Sequence, residues 1–137
     1  MGLARQIRRN MLNHFFNKST MAQATVFYVG VSLTLPTSVG GNVQEPIDPI
    51  YARKAIVSSG WAAATDADPA TITNTGTVTF AQASQDWFAG QDIPYVVLYS
   101  SLTGGTFYGF GEFARPKPIY NSDIMTVQPG KLAIALS

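Results

Sequence analysis

The chain reads as all-β: an antiparallel β-sandwich or jelly-roll-like body of about seven or eight strands, with an amphipathic α-helical arm at the N-terminus. Three observations lead there. Thr25 to Leu35 alternates, with Phe27, Val29, Val31, Leu33 and Leu35 on one side and Val26, Tyr28, Gly30, Ser32 and Thr34 on the other. Side chains on a strand point to opposite faces in turn, so the odd set is expected to face the core and the even set outward. Turn residues recur through the rest of the chain, and proline falls outside the centres of the apolar segments, as a sandwich requires. Residues 3–16 instead carry helical spacing, Leu3, Ile7, Met11 and Phe15, widened by Leu12 and Phe16. The expected division is a helical docking arm at 1–22 and a β-sandwich body at 23–137.

The arm is three to four turns long, a length marginal for an isolated helix in water. Burial of its apolar stripe would therefore decide whether it is ordered, and the expectation is that a neighbouring molecule supplies that burial. A secretory leader does not fit, because Asn10, Asn13, His14, Asn17 and Lys18 interrupt any apolar run. No run approaches the length of a membrane-spanning helix, and no membrane association is expected.

Within the body, Pro36 to Pro49 is a long Gly/Pro-rich loop, expected to be functional or held by a neighbour. Strands are expected near 51–58, 70–73 and 77–81, the last two around Asn74-Thr75-Gly76. Tyr95 to Ser100 is apolar at its centre, as in a strand buried on both faces, and it pairs through Thr103-Gly104-Gly105 with 106–113 as a hairpin. Gly109 and Gly111 on that partner strand signal a bend or the close approach of another backbone. Arg115-Pro116-Lys117-Pro118 is expected to end it. Strands at 123–128 and at the C-terminus, with Leu132, Ile134 and Leu136 facing the core, complete the body.

The chain has 137 residues, 46% hydrophobic and 12% charged. About a quarter charged is usual, so much of the surface is uncharged or covered. The net charge of +1 is unevenly spread. Residues 1–44 hold Arg5, Arg8, Arg9 and Lys18 and no acid, whereas 45–137 hold five basic against eight acidic side chains. A basic arm thus precedes a mildly acidic body.

Chemistry is sparse. There is no cysteine and one histidine, which leaves no ligand set of the usual zinc type, and Asp66-Ala67-Asp68 lacks the pattern of a calcium loop. No metal site and no cofactor are expected. The eight carboxylates offer no spacing that selects a catalytic pair, His14 has no assignable catalytic partners, and the glycines lie on a hairpin instead of a strand-to-helix phosphate turn. No catalytic residue is assigned, and the chain is read as not an enzyme. Three arginines without a basic continuation are too few to argue nucleic-acid binding.

Interfaces remain. On the arm the candidates are Leu3, Ile7, Met11, Phe15 and Phe16, with Arg5, Arg8 and Arg9 beside them. On the body, Tyr28, Trp61, Trp87 and Tyr108 are candidates for a protein interface or, through Trp61 or Trp87, for stacking on a sugar.

The order of features adds a resemblance. A helix ending Met11-Leu12-Asn13-His14-Phe15-Phe16 is followed by Thr25-Val26-Phe27-Tyr28-Val29-Gly30-Val31-Ser32, a Pro/Gly loop with Glu45, and Tyr51-Ala52-Arg53. Then come Thr73-Asn74-Thr75-Gly76-Thr77-Val78-Thr79-Phe80, Asp86-Trp87, a glycine-turned hairpin and a closing Gly-x-Leu-x-Ile-x-Leu strand. This succession, over nearly the whole chain, resembles a family of small tailed-bacteriophage virion proteins, among them tail-fibre proteins and capsid-decorating modules. The Gln91-Asp92 pair and the Asn121-Ser122-Asp123 turn depart from its pattern. The resemblance implies a non-enzymatic virion protein in many copies, a homo-oligomer with a trimer favoured, docking through its arm onto other virion proteins such as the major capsid or tail and neck proteins. Capsid decoration, as a cement protein of the head, is the first expectation. A tail-fibre, neck or baseplate-associated protein, or a host-glycan-binding module, is the alternative.

Overall fold

A computed structural model describes residues 2–136; the outer limits of the expected arm and body, Met1 and Ser137, lie outside them. The body is antiparallel β with one N-terminal helix, as its alternation and turn spacing require. In chain order the elements are β1 (Gly2–Leu3), α1 (Arg5–Phe15), β2 (Val26–Ser32), β3 (Lys54–Val57), β4 (Ala70–Thr73), β5 (Val78–Thr79), β6 (Ile93–Tyr99), β7 (Phe107–Lys117), β8 (Thr126–Val127) and β9 (Ala133–Leu136). A five-stranded sheet runs β1-β7-β6-β2-β3, and two ribbons, β4-β9 and β5-β8, accompany it.

The hairpin expected over 95–113 is β6–β7, in register Val97↔Phe110 and Leu98↔Gly109. Both faces of β6 are covered. Val96 and Leu98 join the main core with Val29, Val31, Ile56, Phe80, Trp87 and the β5–β8 residues Val78 and Val127. Val97 and Tyr99, pointing the other way, join Ala4, Ile7 and Phe107 in a second cluster. Body ribbons thus close one face of the sheet and the root of α1 covers part of the other.

Four features differ from the sequence reading. β1 was not foreseen, since two residues carry no periodicity; it adds to β7 by pairing Gly2↔Phe110 and Leu3↔Gly109. The strand expected over 77–81 is only the two-residue β5, which pairs with β8, while the one at 70–73 is β4 and pairs with β9. β7 continues to Lys117, through Pro116, which sits where β7 is exposed and β1 has ended; a proline is tolerated on such an edge. Ser32 and Gly30, assigned outward, are buried, because the loop after β2 folds back along the part of its edge that β3 leaves free. There the N–H of Leu33 donates to the Gln44 carbonyl at 3.0 Å, that of Gln44 to Ser32 Oγ at 3.0 Å, and that of Val31 to the Tyr51 hydroxyl at 3.1 Å.

Two buried polar anchors hold this long loop without a neighbour. Arg53 grips Glu45 through Nε–H to Oε1 at 2.8 Å and NH2 to Oε2 at 3.1 Å. Its remaining guanidinium nitrogen donates to the carbonyls of Ser101 and Gly104, each at 2.9 Å, and the group lies 3.6 Å above the Tyr99 ring. Five donors in a planar fork make arginine suited to tying three segments at once. Tyr51 donates to Glu45 Oε1 at 3.1 Å, and burial first, then the Glu45 charge, pushes its phenol far above the ordinary range.

The second anchor is Asp48. Its carboxylate accepts the N–H of Ile50 at 3.1 Å, the N–H of Ser84 at 2.8 Å, the Ser84 hydroxyl, and the Trp87 indole N–H at 3.0 Å. Burial opposes its charge, but these donors prevail and hold the carboxyl well below the usual carboxylate range.

Candidate assembly surface

Helix α1 begins where β1 leaves the sheet. Ala4 at its N-terminus offers no side-chain cap; instead the body does so, as the N–H of Arg5 donates to the Ser38 carbonyl at 3.0 Å. At the other end Asn17 takes a left-handed φ of 58°. The N–H of Lys18 donates to Asn13 and that of Asn17 to His14, closing the helix in the Schellman manner. The chain then turns back, and the N–H of Met21 donates to His14 Nδ1 at 3.1 Å.

This return leaves an apolar groove of about 620 Å³ between α1, residues 21–24 and the β4–β9 ribbon. Met11 and Phe15 form one wall, Ile72, Ile134 and Leu136 the other, with Phe27, Leu98 and Tyr108 among the residues between. Of the expected interface residues, the structure gathers Leu3, Ile7, Met11, Phe15 and Tyr108 at this groove.

The rest lie elsewhere. Phe16 and Leu12 are exposed on α1 but do not line the groove. Arg5 and Arg9 flank a smaller hollow beside Ser38, Val39 and Phe107, and Arg8 is exposed. Tyr28 is half-buried on β2, opposite Tyr99 and Ala55. Trp61 is half-buried, edge-on to Phe27 at 5.6 Å, and its indole N–H finds no acceptor among the described residues.

Two expectations change with these positions. Trp87 does not offer a face to a sugar: it is 1% exposed, bonded to Asp48, and packed edge-to-face on Tyr51 and Phe80. The burial of α1 does not wait entirely on another molecule either. Ala4 and Ile7 are 3% and 8% exposed against Val97, Tyr99 and Phe107 of the same chain. The apolar stripe is therefore split: its first half completes the body, while Leu12, Phe15 and Phe16, at 61%, 81% and 64% exposure, do not.

Sequence reasoning placed Ile134 and Leu136 in the core, whereas Leu136 is exposed at the lip of the groove. Alternation identified the strand; no local signal said that this end of the ribbon would stand free. Met21 and Ile72 were not singled out, since each acquires its place only through the return of the chain after α1.

Electrostatics and chemistry around the groove are plain. No group of three or more His, Cys, Asp or Glu is placed to hold a metal among the described residues, and no described helix is long and apolar enough to cross a membrane. The groove is shaped to take up apolar side chains.

No curated protein matches the chain. The family model described as "Podophage GP4 fiber I protein gp80" matches residues 2–135. Fibre proteins are components of the virion, so the match fits a tail-fibre-like structural protein better than a capsid cement. With α1 and nearly all of the groove and the β body inside the matched span, the chain belongs to this podophage fibre family and is a structural protein of the tailed-phage virion.

Proposed function

We propose that the chain is a non-enzymatic building block of a fibre on the tail or neck of the particle, present in several copies, and that the α1 side is its assembly face. The observation that carries this is the contrast on α1. A helix whose root is locked into the sheet ends in three large apolar side chains left in solvent beside an apolar groove. Monomeric soluble proteins rarely leave such surface contiguous and unused. Residues 1–22 act as the docking element and 23–137 as the rigid body that presents it, with the first turns of α1 shared between the two. A closed cyclic homo-oligomer, a trimer foremost, suits a fibre. Fibre location accounts for the family better than capsid decoration does, and the burial of Trp87 leaves Trp61 as the stacking candidate of a glycan-binding module.

The test is complementation of particles lacking this protein with the Leu12→Ser/Phe16→Ser double variant. The folded variant is expected to be absent from purified particles, and wild type carrying a small label is expected on the tail or neck in particle images. Normal incorporation of the variant would contradict the assembly face, and label over the capsid surface would contradict the fibre location.

A further inference from the structure

We infer that the groove receives the outer face of α1 from a second copy of this chain, Leu12 and Phe16 entering between α1 and the β4–β9 ribbon. This rests on the assembly-face reading above and names its partner.

The helix has two faces with different neighbours. Ile7 and Met11 look into the chain's own groove. Leu12 and Phe16, one and five positions beyond Met11, fall on the solvent side and do not line it. Ridge and groove therefore lie on different sides of one helix. A copy cannot fill its own groove with its own ridge, but it can fill the next copy's. Such a contact is heterologous and builds a ring where the rotation between copies closes, or a filament where it does not.

Charge agrees with that pairing. The ridge continues toward the helix N-terminus as Arg5 and Arg9, exposed. The groove wall continues from Ala64 and Ala70, which line it, into the exposed loop holding Asp66 and Asp68. Seating the apolar end of the ridge in the groove leaves the basic end free to meet this acidic loop. The chain-wide asymmetry has the same sense: four basic residues and no acid before residue 45, and an acidic excess after it.

The area is of the right order. Phe16 on the ridge presents roughly 130 Å² at its exposure, and Phe15 on the receiving groove wall a similar area from the other side, against about 800 Å² from each partner in a standard interface. Leu12, Leu136 and the groove walls add to it. A different virion protein could offer an apolar helix, but it would have no stated reason to carry a basic end matched to Asp66 and Asp68.

The test uses two full-length variants and their mixture, read by sedimentation over a concentration series. Leu12→Ser/Phe16→Ser removes the ridge and keeps the groove; Ala64→Arg blocks the groove and keeps the ridge. Wild type is expected to associate, and each variant alone to weaken by about thirtyfold or more, as for an interface hot spot. Mixed in equal amounts, the two are expected to form a one-to-one pair, since one intact ridge meets one intact groove. Circular dichroism of each variant, matching wild type, confirms that the fold is kept; should Ala64→Arg unfold, Ala70→Arg takes its place. As a second arm, Arg9→Glu is expected to weaken association and Asp66→Lys to restore it. Wild type that stays monomeric, or variants that associate as wild type does, overturn the inference. So does a mixture that forms no pair. Monomeric wild type together with loss of the ridge variant from particles would overturn only the copy-to-copy contact and leave the assembly face standing, its occupant another virion protein.

Discussion

The two faces of the central sheet are finished in different ways. On one, Val29, Val31, Val96 and Leu98 meet Phe80, Trp87, Val78 and Val127, and the indole of Trp87, drawn in with them, is answered by Asp48. On the other, Ala4 and Ile7 cover Val97, Tyr99 and Phe107 and the Arg53–Glu45 pair covers Tyr99, but the end of α1 is left uncovered, with Phe15 and Phe16 in solvent beside an open groove that reaches back to Phe27 and Leu98 of the first face. Stability is therefore expected to reside in the first face and association in the second. Substitutions should separate the two.

The largest effect belongs to the closed face. Trp87→Ala removes a side chain packed on Tyr51 and Phe80 and leaves Asp48 without one of its donors. A loss of about 3–5 kcal/mol is expected in urea unfolding. If the loss were under about 1 kcal/mol, Trp87 would be a surface anchor after all.

Asp48 gives the same face a pH signature. Its carboxyl titrates lower in the folded chain than in the unfolded one, so its contribution is fully present above the unfolded value near pH 4 and is lost as pH falls below it. The urea midpoint should hold steady from about pH 7 to 5 and then decline. In Asp48→Asn that acid decline should be shallower, on a protein less stable throughout. An unchanged slope would mean that other carboxylates carry it.

Gly109 tests the seam between the faces. A Cβ there would strike the Gly2 carbonyl oxygen and lie 3.1 Å from Leu3 Cα. Gly109→Ala should push β1 off β7, costing about 1–3 kcal/mol. The amides of Leu3 and Ala4, the latter donating to the Tyr108 carbonyl at 2.8 Å, should lose protection from hydrogen exchange before those of β6 do. Uniform loss across the sheet would show that β1 is not a separable addition.

Phe16→Ser should do least to the isolated fold. The side chain is 64% exposed, so thermal unfolding of the dilute chain is expected within about 0.5 kcal/mol of wild type. A drop beyond about 2 kcal/mol would place Phe16 in the core of its own subunit and erase the distinction between the faces.

The same division governs what could be read from residues alone. β6 was legible because a strand covered on both faces needs no partner pattern: Val96 to Tyr99 are simply all apolar. The close approach at Gly109 was legible too, since adjacent same-face glycines have few other uses in a strand. Trp87 was assigned outward because its position is decided by Asp48, 39 residues earlier, and nothing near Trp87 announces that carboxylate. Gly30 and Ser32 were misplaced for the same reason: the covering loop returns through Gln44 and Tyr51. On α1 the spacing gave the stripe but could not divide it. That division follows from how far the sheet extends beneath the helix, a property of the folded chain.

Hydrogen exchange measured on the purified dilute chain and on the same chain in virions compares the two faces most directly. Amides of β6 and of residues 84–87 should be equally protected in both, whereas those of residues 11–16 should exchange readily in the dilute chain and slow by an order of magnitude or more on assembly. Protection of α1 that is already complete in the dilute chain, or gained on assembly only along β3 or the β5–β8 ribbon, would contradict the assignment of the assembly face.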